Sequence, residues 1–281
     1  MVDIANALTS ERVDDVRRWA NGDWTISADD VAREEPLEIR ARGRAVTVTM
    51  RTPGHDAELA AGFFLSEGLI RRREDVLKIE HCNQNDDGNV LNVLLAPDVY
   101  VDFEKLTRHV FASSSCGLCG RATIDSVRGQ FPAITRDDVR VTPESLQTMP
   151  ETMRAAQTAF DKTGGLHAAA LFTPAGELVV LREDVGRHNA TDKVLGHTLM
   201  SGIDSGAHVL LVSGRVSFEI VQKALAAGVA VIAAVSAPST LAIEFARENG
   251  QTLIGFLRPG RMNVYAGPAR LLASLSQPEE S

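Results

Sequence analysis

From residue 143 onward, short apolar runs alternate with segments of helical periodicity, and this alternation constrains the fold more than any other feature. A helix is predicted over residues 143–160, followed by a hairpin of two apolar runs at 166–172 and 177–181. Three helix–strand units follow, with helices at 189–200, 217–227 and 240–249 and strands at 208–212, 229–235 and 252–256. Strands that are apolar along their whole length are typical of a sheet covered by helices on both faces. Residues 143–270 are therefore predicted to form an α/β domain of three layers.

The order of these elements resembles the cytidine deaminase-like fold. Zinc deaminases of that fold carry H-x-E at the helix after the hairpin and P-C-x-x-C at the next helix. This sequence has Arg-His-Asn at 187–189 and Ser-Gly-Arg-Val-Ser at 213–217 instead. Because these residues offer no tetrahedral ligand set, we expect the architecture without the deaminase chemistry and without a bound metal.

The first half of the chain carries a different pattern. Two pairs of alternating runs predict two hairpins, at residues 37–41 with 45–50 and at 79–82 with 90–95. Between the hairpins, an apolar helical run follows Pro53-Gly54. Residues 24–112 are therefore predicted to form a smaller α+β N-terminal domain.

The segments outside these two domains are predicted to be less ordered. Residues 1–23 carry Val13, Val16 and Trp19 at helical spacing, which predicts a short amphipathic segment that is frayed or loosely docked. Residues 113–142 are predicted to be a loop and linker, and residues 271–281 a C-terminal tail.

Charge and hydropathy narrow the class of function. The net charge of −8 argues against a general nucleic-acid binder. No run is long and apolar enough to span a bilayer, and the first residues lack the features of a signal peptide. With only three cysteines, the chain is expected in the reducing cytoplasm, where thiols stay available for chemistry.

Two of those cysteines, Cys116 and Cys119, stand in the run Ser-Ser-Ser-Cys-Gly-Leu-Cys-Gly at residues 113–120. Serine and glycine around them are typical of an exposed, mobile loop. A thiolate in such a loop can attack a sulfur atom and carry it. A structural zinc site would need Cys82 and His81 from far upstream, and a thioredoxin-like motif would need a βαβ frame that is missing. We therefore favour a reactive pair over both alternatives.

Four loops are predicted at the carboxyl ends of the strands, where ligands of α/β sheets bind. They are residues 182–188, 213–215, 236–239 and 257–261. Small residues, helix starts and arginines in these loops favour an anionic, phosphate-bearing ligand over solvated turns. Pro259-Gly260 fits the centre of a type II turn that would expose backbone N–H groups. Asp184 and His188 have a plainer alternative, as helix caps or packed side chains.

These segments together resemble the FdhD family of sulfur carriers, which mature formate dehydrogenase. The likeness extends from about residue 37 to 265 and is specific in Asp-Val-Gly-Arg-His-Asn at 184–189 together with the Cys-x-x-Cys run. It implies that a cysteine desulfurase donates sulfur as a persulfide. The carrier then passes the sulfur to the bis-molybdopterin guanine dinucleotide form of the molybdenum cofactor, before its insertion into formate dehydrogenase.

The resemblance also implies roles for individual residues. Cys116 corresponds to the persulfide-bearing cysteine, with Cys119 expected either to release the sulfur or to support the loop. The cofactor and its guanine nucleotide moiety are expected to contact Phe256, Leu257, Arg258, Pro259, Gly260 and Arg261, with Arg187, His188, Ser213, Gly214 and Arg215 nearby on the sheet edge. A homodimer is compatible with this assignment. A cofactor-binding escort protein and a thiol–disulfide oxidoreductase are the alternative functions.

Overall fold

The computed structural model describes residues 9–82, 88–103 and 129–272, and these residues form three β-sheets with helices packed between and around them. The mixed α/β class predicted above is confirmed. The predicted cysteine loop at 113–120 lies outside the described residues, as does most of the predicted tail at 271–281.

The N-terminal segment is a β-hairpin, so the prediction of an amphipathic helix there is wrong. Strand β1 (Ser10–Ala20) pairs antiparallel with β2 (Asp23–Ala32). Asn21 and Gly22 connect them with φ angles of 53° and 95°. An Asn-Gly pair takes the left-handed angles of a tight hairpin turn at little cost, and its twist matches that of the strands. This turn signal outweighs the spacing of three apolar residues.

A four-stranded sheet forms most of the first half. Its strands are β3 (Glu35–Ala41), β4 (Arg44–Arg51), β5 (Val76–His81) and β6 (Val90–Leu95), in the order β4-β3-β6-β5. Both predicted hairpins are confirmed, and β3 runs parallel to β6. Helix α1 (Asp56–Ser66) covers one face, where Leu59 and Phe64 are fully buried against Ile39 and Leu91. This face holds the apolar core of the first half.

A six-stranded mixed sheet forms the second half. Its strands are β7 (His167–Phe172), β8 (Leu178–Asp184), β9 (Val209–Val212), β10 (Val231–Ala234), β11 (Thr252–Arg258) and β12 (Arg261–Ala266), in the order β12-β11-β10-β9-β7-β8. Strands β9, β10 and β11 are parallel, while β7 is antiparallel to both β8 and β9. Strand β8 therefore points the same way as β9, and the carboxyl ends of β8, β9, β10 and β11 meet at one edge.

Helices cover both faces of this sheet, as the apolar strands predict. Helix α2 (Pro143–Ala156) and helix α3 (Thr158–Thr163) precede β7. Helices α4 (Arg187–Ser201), α5 (Phe218–Ala226) and α6 (Thr240–Glu248) alternate with the later strands. Apolar side chains of α2 pack on one face of the sheet, and those of α4, α5 and α6 pack on the other. The likeness to the cytidine deaminase-like fold and the domain boundaries stay predictions.

The single helix predicted over 143–160 is divided at Gln157, whose backbone leaves the helical region with ψ at 72°. The Glu183 carboxylate accepts hydrogen bonds from the N–H groups of Ala159 and Phe160, at 2.9 and 2.8 Å. These N–H groups would bond within a continuous helix, so the carboxylate stabilises a new helix start instead. A side chain distant in sequence therefore decides this break.

The two halves meet where α1 packs against α4. A Cβ atom on Gly62 would lie 1.8 Å from the Asp192 carbonyl oxygen, and one on Gly196 would lie 1.8 Å from the Glu58 carbonyl oxygen. Only glycine allows the two helix backbones to approach so closely. Within the described residues, no helix is long and apolar enough to cross a membrane.

Candidate functional site

The four predicted loops do meet at the carboxyl edge of the six-stranded sheet, where hydrogen bonds join neighbouring loops. Val216 N donates to Ala237 O at 3.1 Å, and Ser239 N donates back to Val216 O at 2.9 Å. Ser213 Oγ accepts from Ala168 N at 2.9 Å, so this hydroxyl completes the pairing of β7 with β9. Rigid strand ends and mutual hydrogen bonds hold these loops in place, which favours precise ligand positioning.

Some residues predicted to lie in the loops belong to the strands. Strand β8 continues to Asp184, and Arg182 within it donates to both Glu58 carboxylate oxygens, at 2.5 and 2.8 Å. Arg182 therefore ties the sheet to α1. Leu257 lies in β11 and is completely buried against the layer formed by α2, so its side chain supports the sheet edge from within.

Arginines supply the charge at this edge. Arg215, Arg258 and Arg261 are exposed, and within the described residues none of them has a hydrogen-bonded or ion-paired side-chain partner. Arg187 is half-buried, and its Nε has no hydrogen-bond partner among the described residues. A guanidinium that is not paired with a carboxylate can bind an anion through two parallel hydrogen bonds. The edge can therefore hold a phosphate or diphosphate.

The predicted turn at Pro259-Gly260 joins β11 to β12, a strand that the sequence analysis missed. Arg258 and Arg261 are directly paired across the ladder, and Gly260 has a φ of 76°, as the third residue of a type II turn requires. The Gly260 N–H donates to Gln147 Oε1 of α2 at 3.2 Å, so this donor is already used. Alternation of polar and apolar residues over 261–266 is the signal that would have predicted β12.

Phe256 interrupts the β11–β12 ladder just before this turn. Its φ of 52° is unusual for a large side chain, and the pairing register shifts between Gly255 and Arg258. Phe256 N donates to Ser236 O at 3.1 Å, which anchors the irregular stretch to the loop after β10. The bulge therefore redirects the chain that carries both arginines, and it holds backbone strain at the candidate site.

His167 and Gly214 bring the first strand of the sheet into the same site. Although His167 begins β7, the opposite direction of that strand places it at the carboxyl edge of its neighbours. A Cβ atom on Gly214 would lie 3.3 Å from His167 Nδ1 and 3.6 Å from Arg187 Cδ. Burial lowers the pKa of the His167 imidazole, and the nearby Arg187 charge lowers it further. Burial and the Arg187 charge therefore both favour the uncharged form of this imidazole.

His188, at the start of α4, is held by a carboxylate and a hydroxyl. Its Nε2 lies 3.0 Å from Glu219 Oε2 and 3.2 Å from Ser217 Oγ, both at the start of α5. The hydrogen bond to His188 lowers the pKa of the Glu219 carboxyl to about 2. His188 therefore links the start of α4 to the start of α5. This contact supports the plainer interpretation of His188 as a packed side chain near a helix start.

Replacing His188 with leucine is expected to move the pKa of Glu219 upward toward the ordinary 4.5, because the leading cause of its depression, the hydrogen bond from the imidazole, is lost. A depressed pKa stabilises the fold above pH 4.5, and this contribution is lost as the pH falls toward 2. Wild type should therefore lose more stability over that window than Glu219→Gln, by at most about 1 kcal/mol for a side chain this exposed.

Carboxyl titration by NMR measures the pKa, and urea unfolding at several pH values measures the stability. Glu244→Gln, on the exposed side of α6, is the matched control and should show the pH dependence of wild type. A Glu219 pKa that stays near 2 in His188→Leu would contradict the assigned cause.

A cavity of about 600 Å³ lies next to His188, between β4, α1, α4 and α5. Val48, Met50 and Phe63 form an apolar side, while Glu219 and His188 border it from the sheet edge. At its base, Lys223 Nζ donates to both Asp192 oxygens at 2.9 and 2.8 Å, and to Ser66 Oγ at 2.9 Å. No sequence motif predicted these charged residues. Asp192 stands four residues after His188 on one helix face, a spacing that could have revealed them.

The described residues on either side of the gap between 103 and 129 lie beside this cavity. The Arg44 guanidinium lies 4.2 Å from the centre of the Phe103 ring, and Ala45 next to it lines the cavity. After the gap, Gln130 Nε2 donates a hydrogen bond to the carbonyl oxygen of Glu67, another residue that lines the cavity, at 2.8 Å. Cys116 and Cys119 belong to the stretch between Phe103 and Gln130, outside the described residues.

No group of three or more metal-ligating side chains occurs within the described residues, and the expectation of no bound metal stays a prediction.

Beneath the edge, a fully buried ion pair holds the turn between β8 and α4. Lys193 Nζ lies 2.7 Å from Asp184 Oδ2, with 1% and 0% of the two side chains exposed. The same carboxylate accepts from Thr52 N at 3.1 Å and from Gly186 N at 2.8 Å. Asp184 therefore fixes the turn that presents Arg187 and His188, and it links this turn to the first half of the chain.

Comparison with known proteins gives consistent matches over most of the chain. Residues 32–272 match the model of the FdhD/NarQ family. The sulfur carrier protein FdhD of Streptomyces coelicolor is 51% identical over 264 residues, which cover 91% of this chain and 94% of that protein. The protein of the same name from Thermoplasma volcanium is 42% identical over 274 residues, covering 95% and 97%. The solved structure of a formate dehydrogenase accessory protein from Desulfotalea psychrophila superposes with a TM-score of 0.75 at 25% identity, covering 94% of this chain and 100% of that one.

Proposed function

The chain belongs to the FdhD/NarQ family, and we propose that it is a sulfur carrier that takes persulfide sulfur from a cysteine desulfurase and delivers it to the molybdenum cofactor of formate dehydrogenase. The cofactor, in its bis-molybdopterin guanine dinucleotide form, is the substrate of the carrier. The observation that carries this proposal is the sheet edge, whose arginines have no ion-paired side chain among the described residues, because a cofactor with two nucleotide arms presents diphosphates. The names of the relatives support the sulfur chemistry.

The sulfur is proposed to move in two displacements. The Cys116 thiolate attacks the outer sulfur of the donor persulfide, forming Cys116–S–SH as the donor cysteine leaves as a thiolate. The Cys119 thiolate then attacks the inner sulfur of Cys116. This step forms a Cys116–Cys119 disulfide and releases hydrosulfide to the cofactor. Phe103 and Gln130, the described residues that flank this stretch, lie beside residues that line the cavity, and their position supports delivery to a cofactor held there.

The nucleotide end of the cofactor is proposed to lie at residues 256–261. Arg258 and Arg261 flank one turn on paired strands, where two guanidinium groups would grip one diphosphate. Arg187, His188 and Arg215 stand on the loops after β8 and β9, farther along the same edge. The bulge at Phe256 and the buried Leu257 hold this turn rigid, which lowers the entropic cost of binding.

The partners of the proposed carrier are a cysteine desulfurase and formate dehydrogenase, and its place is the cytoplasm. The proposed fold is cytidine deaminase-like. The central order β8-β7-β9-β10-β11 and the helices on both faces of the sheet support that likeness. The missing ligand set at 187–189 and 213–217 supports sulfur transfer without deaminase chemistry.

Incubation with a cysteine desulfurase and free cysteine is expected to add one sulfur atom to Cys116. Peptide mass spectrometry locates the added mass, and Cys82 in the same protein is the internal control. Absence of sulfur on Cys116, with the protein still binding the cofactor, would favour an escort protein. A Cys116–Cys119 disulfide that forms and is reduced without transferable sulfur would favour a thiol–disulfide oxidoreductase.

Guanosine diphosphate is expected to bind the wild-type protein in a salt-sensitive manner, and the Arg258→Ala, Arg261→Ala double variant should bind it roughly tenfold more weakly or worse. The physical reason is the loss of two charge-assisted contacts. Calorimetric titration at two salt concentrations measures both effects. Arg12→Ala with Arg72→Ala removes the same charge from exposed sites elsewhere and should bind like wild type. Equal affinity in all three proteins would assign the nucleotide to Arg187 and Arg215 instead.

A further inference from the structure

One titratable side chain at the carboxyl edge of the large sheet has no role in the proposed function. His167, at the start of β7, is half-buried, and neither of its ring nitrogens has a hydrogen-bond partner among the described residues. The position that a Cβ atom of Gly214 would occupy lies 3.3 Å from His167 Nδ1 and 3.6 Å from Arg187 Cδ. The imidazole and the Arg187 side chain therefore border the same space, next to a residue that has no side chain.

Gly214 leaves this space free of its own side-chain atoms. Its φ angle does not lie in the left-handed region, so the backbone conformation does not require glycine there. Glycine at such a position allows a ligand to approach the main chain closely. The space is therefore suited to a small ligand that contacts the loop backbone, the imidazole and the guanidinium together.

The charges around this space favour an anion. Arg187 Nε is buried and has no hydrogen-bond partner in the described part of the chain. The described carboxylates that interact with the imidazole and with this guanidinium are both bound elsewhere. Asp184 Oδ2 lies 2.7 Å from Lys193 Nζ. Glu219 Oε2 lies 3.0 Å from His188 Nε2. A half-buried guanidinium without its own carboxylate attracts an oxyanion more strongly than an exposed one, because less water screens its charge.

The protonation of the imidazole depends on the charges that face it. Burial lowers the pKa of His167, the charges of Arg187 and His188 at the start of α4 lower it further, and Asp184 of β8 raises it. The loop after β9 adds the exposed Arg215. An anion beside Nδ1 would offset the repulsion from Arg187 and accept a hydrogen bond from the imidazolium, which donates from both ring nitrogens. The uncharged imidazole is therefore favoured without an anion, and the imidazolium with one.

We propose that His167, Arg187 and the Gly214 backbone form a subsite for a doubly charged oxyanion, and that the anion binds together with a proton on His167. The inference rests on the proposed function, in which the oxyanion is a phosphate group on the second nucleotide arm of the cofactor. The factor by which the anion strengthens proton binding equals the factor by which the proton strengthens anion binding. The cofactor is therefore held more tightly at lower pH, a regulation that Arg258 and Arg261 do not supply.

Histidine NMR titration of the full-length protein, in sodium sulfate and in sodium chloride of equal ionic strength, tests the subsite. Sulfate is the probe because its charge is constant over the titration, whereas a phosphate group itself titrates at about pH 6. The pKa of His167 is expected to be higher in sulfate than in chloride. The apparent Kd for sulfate should be at least about threefold lower at about pH 5.5 than at about pH 8. His208, at the amino end of β9, is the internal control and should titrate alike in both salts.

Two variants alter the subsite independently. Gly214→Ala places a methyl group in the space and is expected to abolish the difference between the two salts. Arg187→Met is expected to raise the pKa of His167 in chloride, because a repelling charge is lost, and to remove the response to sulfate. Arg12→Met, which removes an exposed arginine of β1, is the matched control and should respond like wild type.

Thermal unfolding confirms that each variant is folded, and a folding defect in one of the two leaves the other as the test. An identical His167 pKa in sulfate and chloride, or an unchanged response in a folded Gly214→Ala or Arg187→Met, would overturn the proposal. Sulfur on Cys116 without a sulfate response would overturn this subsite alone. A sulfate response without sulfur on Cys116 would contradict the proposed sulfur transfer and support the subsite.

Discussion

Cys116→Ala is expected to abolish the activation of formate dehydrogenase while the protein remains folded. The proposed first step needs a thiolate that can hold a second sulfur, and alanine has no atom that can do so. The substitution removes one sulfur atom from a stretch whose serines and glycines predict no core role, so stability should change by no more than about 0.5 kcal/mol. The activity of coexpressed formate dehydrogenase and the thermal unfolding of the variant measure the two effects.

Cys82→Ala is the matched control for this experiment, because it removes a thiol from the half-buried position after β5. It should leave formate dehydrogenase fully active. Cys119→Ala is expected to show a defect as well, since the proposed release step uses its thiolate. Full formate dehydrogenase activity with Cys116→Ala would contradict the proposed sulfur transfer.

Lys193→Met is expected to lower the free energy of unfolding by about 3–5 kcal/mol. The substitution keeps most of the side-chain volume but leaves the Asp184 carboxylate, which is 0% exposed, without its counter-ion. A buried charge without a partner carries its full desolvation cost. Denaturant unfolding measures the loss, and Asp184→Asn should show a loss of similar size. The double variant should lose less than the sum, because neither charge is then left alone.

Lys78→Met is the matched control, since Lys78 is paired with Glu80 on the surface of β5 and its side chain is 60% exposed. An exposed pair contributes at most about 1 kcal/mol, so this variant should unfold much like wild type. Equal losses in the two Lys→Met variants would show that burial of the Asp184–Lys193 pair does not determine its contribution.

Local patterns predicted much of the architecture. The hairpin of β7 and β8 and the three following helix–strand units were expected from apolar periodicity, and each is present. Two local signals disagree near the N-terminus: the apolar spacing around Val16 predicts a helix, whereas Asn21-Gly22 predicts a hairpin turn, and the structure has the hairpin. Strand β12 lies beyond the last predicted strand at 252–256, because no strand was predicted after the turn at Pro259-Gly260.

The convergence of the arginine-bearing loops was also predictable, because the order of strands and crossovers places their carboxyl ends together. Which of these arginines can bind a ligand, and which are engaged by a carboxylate of the same chain, was not predictable from the sequence. Arg182 and Arg215 look alike in sequence, yet Arg182 is engaged by Glu58 and Arg215 is exposed. That difference depends on α1, which lies more than a hundred residues earlier in the chain.

The sequence alone determined the order of most helices and strands and the position of most turns. It also determined that the carboxyl ends of several strands of the large sheet meet at one edge. These features depend on side-chain periodicity and turn residues within a few positions, so they can be recognised without the rest of the fold. The tertiary structure decided which charges are buried and paired, as in Lys193 with Asp184 and Lys223 with Asp192 and Ser66. Ser66 and Asp192 are 126 residues apart and meet because Gly62 and Gly196 let α1 and α4 touch. No local pattern encodes such a contact, since its stability comes from desolvation and geometry that exist only after the two halves have packed.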